Sequence, residues 1–101
     1  MPIPRLTIYY KADCHLCEDA RQVLERVLPY EPFELEEVDI TQDRVAHDLY
    51  FDKIPVLTVN GQFAFKYRFD EDRLLRRLRN AREDMERDEE EKRKTNEKGA
   101  R

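Results

Sequence analysis

The sequence predicts an α/β domain, a mixed four-stranded sheet with helices on both faces in the order β-α-β-α-β-β-α. Three observations carry this. Short β-branched and aromatic runs alternate with stretches of helical periodicity, which gives strand-helix-strand units and parallel pairing. Asn60-Gly61 between two such runs is a two-residue hairpin signal, because both turn positions favour positive φ. Cys14-His15-Leu16-Cys17 stands where the first strand hands over to the first helix.

The elements follow in order. Leu6-Thr7-Ile8-Tyr9-Tyr10 lies in a first strand, about 5–10. A helix over about 15–28 places Ala20, Val23, Leu24, Val27 and Leu28 on one stripe and stops at Pro29. Glu34 to Ile40 reads as a second strand with imperfect alternation. Thr41-Gln42-Asp43 opens a short helix to Tyr50, with Val45, Leu49 and Ala46 expected inward. A loop, Phe51-Asp52-Lys53-Ile54-Pro55, leads into a third strand, Val56-Leu57-Thr58-Val59. Gln62 to Tyr67 returns as the fourth. Asp70 is an N-cap for a last helix with Leu74, Leu78, Ala81 and Met85 on its inner stripe.

The 101 residues support one domain. Its core is expected within residues 1–85. Residues 86–101 hold six acids and six bases and no apolar stripe, so they read as a charged helix extension or a disordered tail. The net charge of -4 argues against a nucleic-acid surface. Nothing approaches the roughly 20 apolar residues of a membrane span. The start, Met1-Pro2-Ile3-Pro4-Arg5, lacks the charged and apolar regions of a secretory signal, so a cytoplasmic protein is expected, and as a monomer.

The only two cysteines lie three residues apart, which suits catalysis or metal binding better than a structural framework. At a helix start, unpaired N–H groups and the positive end of the dipole favour a thiolate. Lys11 and a protonated His15 add to that field, whereas Asp13, Glu18 and Asp19 oppose it. Cys14 is the candidate nucleophile and Cys17, one turn on, the candidate resolving thiol. Zinc or an iron–sulfur cluster shared between two subunits is a rival use of the same thiols, since four ligands are usual.

The element order, the Cys-x-x-Cys opening the first helix and Ile54-Pro55 before the third strand together resemble the thioredoxin-fold superfamily. Tyr9-Tyr10-Lys11-Ala12-Asp13-Cys14 is similar to the glutaredoxin opening. The Cys-His-Leu-Cys form, Phe33 to Ile40, Lys53-Ile54-Pro55-Val56-Leu57 and Phe69-Asp70-Glu71 resemble the small glutaredoxin-like proteins, over about residues 5–80. The resemblance implies a thiol–disulfide oxidoreductase acting on protein or small-molecule disulfides. It needs no bound cofactor or metal, only an external thiol reductant, glutathione or a dithiol. It also implies a cis Pro55 and a substrate strand along Ile54. One alternative is a module that kept the fold for binding and lost turnover.

Two departures stand out. Glutaredoxins carry a Gly-Gly pair before the last helix, where the glutathione backbone approaches. Here Lys66-Tyr67-Arg68-Phe69-Asp70 has no glycine. Tyr67 and Phe69 are expected to crowd that place, and Asp70 and Glu71 to repel a carboxylate. Arg68 is the candidate replacement clamp. His15 replaces the proline that usually follows the first cysteine.

Overall fold

The computed structural model describes residues 2–99. Strands β1 (Arg5–Tyr10), β2 (Glu34–Asp39), β3 (Val56–Val59) and β4 (Gln62–Lys66) form one sheet in the order β2-β1-β3-β4. β1 runs parallel to β2 and antiparallel to β3, and β3 is antiparallel to β4. Helices α1 (His15–Val27), α2 (Arg44–Tyr50) and α3 (Glu71–Gly99) complete the chain. The predicted α/β fold class and element order are those observed. α3 runs through residues 86–99, and residues 100 and 101 lie outside the described residues.

Alternation along β1 and β3 decides the layers. Leu6, Ile8, Leu57 and Val59 point to one face and pack with Ala20, Val23, Leu24 and Val27 of α1 and Leu74, Leu78 and Ala81 of α3. The opposite face bears Tyr9, whose ring centroid lies 4.6 Å from that of Tyr50 on α2. Glu31, buried after α1, ties this loop to α3 through Arg79 (3.6 Å) and Arg82 (3.3 Å). The Glu31 hydrogen bond raises the Arg82 pKa further above its ordinary value.

The hairpin forms as expected. Asn60 and Gly61 both take positive φ, 51° and 82°, and Asn60 Oδ1 accepts from the Arg5 N–H at 2.9 Å. Three details differ from the sequence expectation. Val45 and Leu49 are exposed (71% and 54%), while Ala46 is buried. Asp43 caps α2 through the Ala46 N–H, which sets the helix phase so that Ala46 and Tyr50, one turn apart, face the sheet. The tyrosine ring supplies the apolar surface that aliphatic pattern alone assigned elsewhere. β2 stops at Asp39, because its carboxylate accepts from the Thr41 N–H and hydroxyl and starts a 3-10 turn, Ile40–Gln42. Leu28 caps α1 and is exposed rather than inward.

Candidate active site

The sheet register brings the chemistry to one end. Tyr9 pairs with Val56 and Val56 with Lys66. The residues just beyond those partners are the Lys11–Cys14 turn, Ile54-Pro55 and Tyr67-Arg68. Lys11, Cys14, Ile54, Pro55 and Arg68 therefore lie at the end of the sheet where β1 ends, and His15 and Cys17 follow in the first turn of α1.

The turn after β1 is sharp. Asp13 takes φ 59°, a left-handed conformation that Asp tolerates better than most residues. Cys14 follows with extended backbone and becomes the N-cap of α1. Its sulfur fills the role that Ser or Asp usually takes, accepting the Cys17 N–H at 3.2 Å. Its carbonyl accepts the Glu18 N–H at 3.1 Å. A negative sulfur here meets a backbone donor and the positive end of the helix. Cys14 is half-buried.

Cys17 differs in every respect. It is only 2% exposed. Burial pushes its thiol up from 9.0 to about 12, and a hydrogen bond with Cys14 adds to this. The Lys11 backbone and the Arg21 charge oppose the rise. Both cysteines are free thiols here. The pair is asymmetric: a half-buried residue whose sulfur is cradled by N–H, and a buried thiol held against it.

This asymmetry has a stability consequence. Between pH 9 and about 12 the folded chain keeps the Cys17 proton that an unfolded chain releases. The contribution is full below pH 9 and is lost as pH rises through the folded value. Denaturant unfolding of the reduced chain should show stability falling across that window. Cys17→Ala should fall less steeply, whatever its absolute stability. Equal slopes would contradict the burial of this thiol.

The other predicted residues fall as follows. Lys11 is exposed, and its backbone rather than its ammonium meets the Cys17 sulfur. His15 is the first residue of α1 and exposed. The Ile54–Pro55 peptide is cis, and Pro55 is buried. Arg68 is exposed and lines a groove of about 330 Å³ with Leu16, Asp19, Val23 and Arg26 of α1 and with Tyr67.

The crowding expected at the missing glycines resolves into one residue. Phe69 turns into the core, its ring 5.8 Å from Phe65. Asp70 accepts the Arg73 N–H at 2.9 Å and caps α3. Glu71 pairs with Arg26 at 2.6 Å. Tyr67 stays half-exposed with φ 64°, the backbone region glycine favours. Its N–H donates to the Pro55 carbonyl and its hydroxyl to the Asp52 carbonyl, both at 2.9 Å, so it straps the proline loop.

Arg21 escaped the sequence reading. It stands four residues after Cys17, one turn along the same face, and places a cation near that sulfur. It also lies over the Tyr10 ring at 4.6 Å and pairs with Glu37. The spacing from Cys17 was the available signal. Among the described residues no three His, Cys, Asp or Glu side chains are grouped to hold a metal.

A sequence model of the family described as Glutaredoxin-like domain (DUF836) matches residues 5–79. The chain belongs to this family. A glutaredoxin-like relative, "Glutaredoxin-like protein YDR286C homolog" of Dictyostelium discoideum, is 32% identical over 77 residues, covering 68% of this chain and 69% of its own length. Protein Ne2328 from Nitrosomonas europaea superposes with a TM-score of 0.66 at 29% identity, over 73% of this chain and 89% of its own. The X. campestris protein XcR50 gives 0.62 at 30% identity, over 72% and 93%. A thioredoxin of Halobacterium salinarum, at 18% identity and a TM-score of 0.60 over 77% and 74%, shares the fold alone. No helix among the described residues of this glutaredoxin-like chain is long and apolar enough to cross a membrane.

Proposed function

We propose that this glutaredoxin-like chain is a dithiol thiol–disulfide oxidoreductase. One observation carries the reading: the Cys14 sulfur caps α1 at 3.2 Å from a backbone N–H, with the Cys17 thiol buried one turn inside. The Cys14 thiolate attacks one sulfur of a protein or small-molecule disulfide. A Cys14 mixed disulfide forms, and the other substrate sulfur leaves as a thiolate and takes a proton. Cys17 then gives up its proton and attacks the Cys14 sulfur. The second substrate thiol leaves, and a Cys14–Cys17 disulfide remains. Arg21 favours Cys17 as it becomes anionic. An external dithiol returns two electrons and two protons, so no bound cofactor is required. The Ile54 backbone before cis Pro55 is the strand edge for a bound substrate, and Arg68 the clamp for a carboxylate in the adjoining groove. A cytoplasmic monomer is the setting this reading assumes.

The test is turnover: reduction of a protein disulfide by dithiothreitol, with and without catalytic amounts of the chain. Acceleration supports the reading. A rate equal to dithiothreitol alone overturns it in favour of a thioredoxin-fold binding module.

Glutathione is expected to serve poorly. Tyr67 occupies the glycine place, and its two hydrogen bonds hold it there. An NMR titration of the chain with glutathione should give shifts confined to the Lys11–Cys17 turn. Tyr67→Gly should strengthen binding, since glycine keeps the positive φ and vacates the groove. Saturable shifts through Tyr67 to Asp70 at sub-millimolar glutathione in the unaltered chain would contradict this.

A further inference from the structure

The arginines whose side chains are described differ in their partners. Arg5, Arg21, Arg26, Arg79, Arg82 and Arg87 each pair with a carboxylate. Arg73, Arg76 and Arg77 form no ion pair among the described residues, although the chain has 23 acids to 19 bases. Arg44 and Arg68 also lack one there, but the three on α3 are the ones grouped in a single groove. Their spacing, i, i+3 and i+4, puts them on one helix face. Like charges so placed repel one another, and the one polar contact the structure gives their side chains is Arg77 Nη2 to Gln62 Oε1 at 3.3 Å.

That face borders a groove of about 330 Å³ between α3 and β4, with Ala64 and Phe65 on its other side. β4 is one of the two edge strands, with β2 at the other side, so half of its backbone groups have no strand partner. The register slips between Leu57 and Thr58, leaving Ala64 as an extra residue. An open strand edge, an aromatic wall and three unneutralised guanidinium groups lie side by side. Cys14 and Cys17 are not part of this groove.

We propose that the groove between β4 and the first half of α3 binds an extended acidic peptide segment of a partner protein. Its main chain adds along Gln62–Lys66, and its carboxylates meet Arg73, Arg76 and Arg77. Guanidinium forks match carboxylates with two parallel bonds, and strand addition fixes the register. A nucleic acid fits less well. The basic face is short and flanked by Asp70, Glu71 and Asp72, so it does not extend along a long phosphate backbone.

The test uses the full reduced chain and three fluorescent ligands: an eight-residue peptide alternating Glu and Val, its Lys-Val counterpart, and an oligothymidylate of equal charge to the first. The Glu-Val peptide should bind about tenfold or more tightly than the Lys-Val peptide, and should weaken as salt rises. Its amide shifts should centre on Gln62–Lys66. Arg73→Gln with Arg76→Gln should cost about tenfold or more in affinity with thermal unfolding unchanged, since both side chains are exposed. Arg77 is kept because it holds Gln62. Equal binding of the two peptides, or undiminished binding by the double variant, would overturn the proposal. So would tighter binding of the oligothymidylate, which would assign the face to nucleic acid.

Discussion

Replacing Cys14 with serine should reduce disulfide exchange to the background rate of the reductant alone. The hydroxyl keeps the N-cap, since serine is a good capping residue, so α1 and the fold persist. The attacking thiolate is gone, and the buried Cys17, with its thiol pushed up to about 12, does not replace it at neutral pH. Cys17→Ser should behave differently. Cys14 still attacks, but nothing releases the first product, so a mixed disulfide should accumulate toward one per chain. Intact-mass measurement after mixing with a peptide disulfide separates the two. Loss of activity in both variants, with no adduct in either, would contradict the assigned roles, and an adduct in Cys14→Ser would reverse them.

The second large effect is on stability. Leu78 is fully buried where α3 meets the sheet and α1. Leu78→Ala should cost about 2–5 kcal/mol, because the lost contacts leave a cavity that the sheet cannot fill. For a domain of this size each kcal/mol is about 4–8 °C, so thermal circular dichroism should show a fall of about 8 °C or more. A chain ending after Arg87 should fall by less than about 4 °C, since residues 88–92 are all exposed. Comparable falls in the two would mean that the far half of α3 docks onto the body.

Much of this was readable in the residues. The hairpin was legible at Asn60-Gly61, since few other pairs accept two positive φ values. The inner stripe of α3 was legible at Leu74, Leu78 and Ala81 because a long amphipathic helix states its own phase. The seven-residue α2 does not. Its phase comes from the Asp43 cap and the Tyr50 ring, so the aliphatic pattern alone puts Val45 and Leu49 on the wrong face. The cysteine pair announced itself by its place at a strand-to-helix turn, but its asymmetry did not. That depends on how far α1 sinks into the core, which puts Cys17 inside and leaves Cys14 at the rim. At Tyr67 the sequence shows only bulk at a missing glycine. The structure adds its left-handed backbone and its hold on Asp52, which need the loop and the strand end in the same place. The Glu31 tie to α3 joins residues 51 positions apart in the chain, beyond the reach of local pattern.

The central claim is that Cys14 and Cys17 together complete one exchange cycle. Titrating the reduced chain with an aromatic disulfide measures this in a single experiment, because each attack on it releases a coloured thiolate. Two thiolates per chain, no retained adduct and a Cys14–Cys17 bridge in the peptide map are expected. One thiolate per chain with the aromatic group left on Cys14, or an adduct on Cys17, would contradict it.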